Sequence, residues 1–165
     1  MMPENRLDTP EKAMATKTIE GYCNVYFAKF DQIVKLYIEN FDDEYIKRCL
    51  KSFFNLEKKL FSQLELFTFN YYKDVAECVG DLDYPIDSPA EIWQHIQPSY
   101  IYLEQSEINK ANTFLGITLY CDWDEEHGLY WSIKNNNEVV HVSPNGEYSD
   151  PDEKVSYEDG NYAGN

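Results

Sequence analysis

A chain of 165 residues is long enough for one domain with a full core, and 30 acidic against 14 basic residues leave it at −16. That charge excludes direct binding to nucleic-acid phosphates, and no apolar run approaches the roughly 20 residues of a membrane-spanning helix. Nine Phe, fourteen Tyr and three Trp supply enough apolar surface to exclude disorder throughout.

Residues 1–17 are polar, hold two prolines and show no periodicity, so they read as a flexible arm. No apolar segment lies between the charges of Met1 to Thr18, which therefore do not read as a secretory leader. Cys23, Cys49, Cys78 and Cys121 are far apart and form no CxxC pair. They read as reduced thiols of a cytoplasmic protein, without a zinc site.

Two β-branched and aromatic runs follow, Ile19 to Phe27 and Gln32 to Ile38, and the short link Ala28 to Asp31 predicts an antiparallel pair. Asp42-Asp43-Glu44 then opens a helix, with acids where the N-terminal dipole favours them. Ile46, Leu50, Phe53, Leu56, Leu60, Leu64, Phe67, Tyr71, Val75 and Cys78 recur every three or four residues, and Gly80 ends the run. The segment is long for one globular helix, so a break is expected near Ser52 to Asn55. Its aromatic stripe reads as core.

Asp81 to Pro89 is an acidic loop punctuated by proline, and Ser88-Pro89 predicts a capped short helix over Ala90 to Ile96. Trp93 and Ile96 would face inward and His95 would be solvated. Strands are expected over Ser99 to Glu104, Phe114 to Tyr120, Leu129 to Ile133 and Glu138 to Val142, with a turn at Asn135-Asn136-Asn137. His141 reads as an ordinary strand residue. Residues 149–165 read as an acidic, disordered tail. The whole is α+β: one domain over 18–148, with an antiparallel sheet of two N-terminal strands and a C-terminal meander packed on a helical middle.

The densest run of ionisable groups is Cys121-Asp122-Trp123-Asp124-Glu125-Glu126-His127-Gly128, at the tip of the expected Phe114–Ile133 hairpin. Acid–base catalysis would need burial that a solvated tip does not offer. Asp122, Asp124 and Glu126 alternate and would share a face for Ca²⁺, but the spacing fits no known calcium loop. Cys121 and His127 would meet as a nucleophile pair only if the loop folded back. No catalytic residue, metal or cofactor is therefore expected. Cys121 and Trp123 would pack inward, and His127-Gly128 would turn the corner.

That run, followed by a short strand, an Asn-rich turn and Val139-Val140-His141-Val142, resembles the signature of a bacterial family of unknown function. Its members carry a Cys-x-Trp-Asp/Glu-x-Glu-His-Gly motif near the C-terminus. Ile92 to Ile101 is similar to the segment leading into that motif, and the resemblance covers residues 19–148. Related families include immunity proteins of polymorphic-toxin and contact-dependent inhibition systems. The family has no established activity to carry over; its resemblance to immunity-type families implies a protein partner, and no enzymatic activity is expected from the residues themselves. The acidic tail and the Asn triplet depart from the pattern.

Charge is uneven: residues 1–80 carry a net −2, 81–120 carry −5 and 121–165 carry −9. Such lopsidedness suits a basic partner. The expected function is immunity, with a basic toxin domain, for example a nuclease, neutralised by an acidic surface. The expected contacts are Asp122, Asp124, Glu125 and Glu126, helped by Asp81, Asp83 and Asp87, with Tyr84, Tyr130 or Trp131 as aromatic anchors. The alternatives are a regulatory binding domain without a toxin and a metal-dependent enzyme. Oligomeric state is not legible.

Overall fold

The computed structural model describes residues 6–80, 82, 85–144, 146 and 148–164. After a short helix α1 (Pro10–Met14), strands β1 (Tyr22–Phe27) and β2 (Gln32–Tyr37) form an antiparallel hairpin, each burying alternate residues. Helices α2 (Asp43–Phe54) and α3 (Lys58–Val79) follow, and the chain breaks between them at Asn55–Glu57. Asp42 caps α2 by accepting from the Tyr45 amide at 2.8 Å, and Gly80 closes α3 at a φ of 88°. A 3₁₀ segment (Pro89–His95) leads into β3 (Ile96–Glu104), then β4 (Phe114–Cys121), β5 (Leu129–Lys134) and β6 (Glu138–Ser143). Ser88 and Glu91 make a reciprocal capping box at the start of that segment, as the Ser-Pro signal implies.

The six strands lie in chain order in one α+β sheet. Every pairing is antiparallel except β2 with β3, which is parallel because the chain crosses back through α2 and α3 before re-entering. Sequence alternation gave no warning of that pair. The helices pack on one face, over Val34, Leu36, Ile101, Leu103, Leu115, Ile117 and Trp131. Trp131 has no exposed surface, and its indole N–H donates to Thr68 Oγ1 at 3.0 Å. Tyr130 is buried on the opposite face. Neither is therefore the surface anchor expected from the sequence: β5 is an inner strand covered on both faces.

The arm and the tail are also corrected. Ala13 of α1 is fully buried, the amide of Tyr26 donates to Leu7 O, and that of Asn24 donates to Thr16 Oγ1, both at 2.8 Å. At the far edge, Asn161 is buried and stands in for a strand: Oδ1 accepts from the Val142 amide and Nδ2 donates to Val140 O, each at 2.9 Å. The Tyr162 amide donates to Val142 O at 2.8 Å. Both outer strands thus have backbone groups satisfied by the terminal segments, which blunts sheet-edge aggregation.

Candidate functional site

The hairpin tip is a single helix-like turn whose design is written in Asp-Glu-Glu-His-Gly. Asp124 Oδ1 accepts from the His127 amide at 3.0 Å, Gly128 N donates to Asp124 O at 2.9 Å, and Gly128 closes the turn at a φ of 74°. A side chain at Gly128 would also bring its Cβ within 2.9 Å of Leu119 O. Asp124 accepts again from the Tyr71 hydroxyl of α3 at 2.9 Å and lies 3.0 Å from His127 Nδ1, with only 20% of its side chain exposed. Burial alone would raise its pKa. The His127 amide, the Tyr71 hydroxyl and the His127 ring together outweigh that and hold the carboxyl below its usual range.

Cys121 and Trp123 are buried as expected. Trp123 sits edge-on to Tyr71 and Tyr72 of α3, at centroid distances of 5.7 and 5.6 Å. Tyr72 accepts from the Ile86 amide at 2.9 Å, so the same helix end fixes both the hairpin and the loop carrying Asp87. Asp87 is exposed, whereas Asp81, Asp83 and Tyr84 lie outside the described residues. The Cys121 thiol donates to Asp124 O and is pushed up to about 12 by burial, so it stays protonated at neutral pH. Cys121 and His127 are each engaged with Asp124.

His95 is not simply solvated, since its Nδ1 lies 3.0 Å from Asp122 Oδ2 and the Asp122 amide donates to His95 O at 3.0 Å. This contact depends on β3 starting three residues earlier than predicted, beside the end of β4. Asp122 and Asp124 thus point to different partners and share no face for an ion. Glu125 and Glu126, in the first turn, are exposed and make no ion pair among the described residues. The described residues contain no group of three His, Cys, Asp or Glu arranged for a metal. Beside Asp122 a cleft of about 430 Å³ is lined by Lys29, Trp93, Gln97 and Tyr120, with the Lys29 ammonium 4.3 Å over the Trp93 ring.

On the helix-free face lies a feature the sequence reading missed. Ring contacts run across the sheet from Tyr22 to Tyr37 (5.8 Å), Tyr100 (5.5 Å), Tyr102 (6.0 Å) and Tyr130 (5.8 Å). At the inner end Glu104 accepts from the hydroxyls of Tyr130 and Tyr148, the latter at 2.6 Å to Oε2, and burial raises its pKa despite both bonds. Gly116 is the floor of this cluster: a Cβ there would stand 2.6 Å from the Tyr130 hydroxyl and 2.7 Å from Glu104 Oε1. The signal was the alternation of Tyr100, Tyr102 and Glu104.

A domain family, described as a domain of unknown function (DUF6985), matches residues 10–149. The chain belongs to the DUF6985 family. No curated protein and no solved structure matches it. The DUF6985 match takes in α1, all six strands, the hairpin tip and the Glu104 cluster, while Asn161 and Tyr162 lie past the matched residues.

Within the DUF6985 domain His141 is buried, its Nε2 2.8 Å from Ser143 Oγ and its ring edge-on to Tyr148 at 4.9 Å. Burial lowers its pKa from 6.5 to about 4. The unfolded chain therefore takes up this proton first, so the stability His141 provides is complete above pH 6.5 and is lost as pH falls to about 4. The expected loss is about 3 kcal/mol. Glu104, with a raised pKa, contributes in the opposite sense, favouring the fold at lower pH. Urea unfolding of wild type and His141→Leu across this range checks it: the variant should lose most of the slope, and equal slopes would contradict the assignment.

Proposed function

We propose that this domain is an immunity protein, a non-catalytic binder that neutralises a basic toxin domain in the bacterial cytoplasm. The observation that carries the reading is Glu125 and Glu126: exposed, without an ion-pair partner among the described residues, and held on a turn pinned by Asp124, Tyr71 and His127. A pinned backbone spares the loop's share of the ordering entropy when these carboxylates meet a cation. The −14 carried by residues 81–165 would speed encounter and select basic partners, a nuclease cleft being one that normally receives phosphates. Asp122, with 47% of its side chain exposed, and Asp87 extend the same acidic end. The Cys-x-Trp-Asp-x-Glu-His-Gly run, with its resemblance to immunity-type families, points the same way, and the four free thiols suit a reducing compartment.

The test reads the neighbouring frames for a basic toxin domain and follows growth of cells expressing that domain. Wild-type chain is expected to restore growth. Glu125→Lys with Glu126→Lys is expected to fail at unchanged melting temperature, because neither side chain supports the fold. Full protection by that variant would overturn the acidic-tip reading. No effect of the wild type would favour a regulatory domain without a toxin.

A further inference from the structure

Helices α2 and α3 pack on one face of the sheet, and the opposite face over β1–β4 carries few charges in a very acidic molecule. Tyr37 and Tyr100 are each 38% exposed and Tyr120 is 64% exposed. The outward positions of these strands carry one exposed charge, Lys35, and their only carboxylate, Glu104, is tucked under Tyr148. Exposed carboxylates stand instead at the ends of the face, Glu39 at one and Asp31 and Asp122 at the other. Aromatic rings with few charges at the centre and a charged rim is the composition of a protein interface.

The chain itself shows what these rings accept. The Arg6 guanidinium lies 4.2 Å over the Tyr26 ring and the Lys35 ammonium 4.6 Å over the Tyr22 ring. Tyrosine π faces are cation seats, and a planar, weakly hydrated guanidinium fills them better than an ammonium. A second copy would bring another −16 against this one, with little cation to offer the rings.

We propose that this tyrosine face is where the basic partner docks, stacking arginine side chains on Tyr37, Tyr100 and Tyr120 while the terminal carboxylates pair with flanking cations. The inference rests on the reading that the partner is basic, and adds the sheet face to the hairpin tip as a second contact.

Hexa-arginine and hexa-lysine peptides serve as probes of the full chain by tyrosine-ring NMR at low salt. Hexa-arginine is expected to shift the rings of Tyr37, Tyr100 and Tyr120 and to bind several-fold tighter than hexa-lysine. Tyr37→Thr with Tyr100→Thr is expected to weaken it about tenfold. Tyr120→Thr, on another strand, decides the matter if the double variant does not fold. Binding that moves only the amides of Glu125 and Glu126, and is unchanged in the Thr variants, overturns the sheet-face proposal and leaves the acidic-tip reading standing. No binding of either peptide removes both. A sedimenting dimer that the Thr variants dissociate would make a second copy the occupant and overturn the assignment.

Discussion

Asp124→Ala is expected to destabilise the protein by about 1–3 kcal/mol, the sum of a lost turn cap and a buried tyrosine hydroxyl left with the longer 3.2 Å contact to the Gly128 carbonyl. Glu125→Ala and Glu126→Ala are each expected to change stability by less than about 0.5 kcal/mol. The three carboxylates are neighbours in sequence but differ in where the turn sends them. Asp124 is drawn inward by the Tyr71 hydroxyl and the His127 amide, and the next two residues point to solvent. Urea unfolding of the three variants reads the difference directly. Near-equal losses would mean that the tip is not organised by Asp124. Charge reversal at Asp124 would damage the fold and is therefore a poor probe of binding, which is why the functional test uses Glu125 and Glu126.

Glu104→Ala is expected to cost about 3 kcal/mol and to release the segment carrying Tyr148. The side chain is the acceptor for two tyrosine hydroxyls, and its removal leaves a hole over Gly116. The same segment is tied down by Asp150, which accepts from Ser106 Oγ and the Glu107 amide at 2.7 Å each, and by Asp152 against Lys134 at 3.0 Å. Release should therefore be local, seen as faster amide exchange at residues 148–153 with β4 and β5 still protected. The hydroxyls of Tyr130 and Tyr148 also bond each other, so a loss below about 1 kcal/mol would mean that this pair suffices without the carboxylate.

Local periodicity carried the architecture. The stripe from Ile46 onward, the caps at Asp42 and Ser88, and the turn at Gly128 each depend on a few adjacent residues, so each was readable. What depends on contacts distant in sequence was not. The parallel β2–β3 pairing joins Leu36 to Ile101 through two helices, and no local pattern encodes it. Tyr130 and Trp131 looked like anchors because their chemistry suits interfaces, but β5 has neighbours on both sides, and a covering segment and a helix layer hide their rings. The tail looked disordered from its composition, yet Asn161, by imitating a strand at Val140 and Val142, fixes it together with the Tyr162 amide, Asp150 and Asp152. The four acids of the tip lie close together in sequence and so are legible as a run. Their division into two histidine-paired aspartates and two outward glutamates needed the positions of His95 and Tyr71.

The most direct measurement is the affinity of the chain for a basic toxin domain taken from a neighbouring reading frame, titrated against salt for wild type and for Glu125→Lys with Glu126→Lys. The account predicts an affinity that falls steeply as salt rises, and a variant that has lost much of both the affinity and the slope. A wild-type affinity indifferent to salt, with the variant binding equally well, would contradict it.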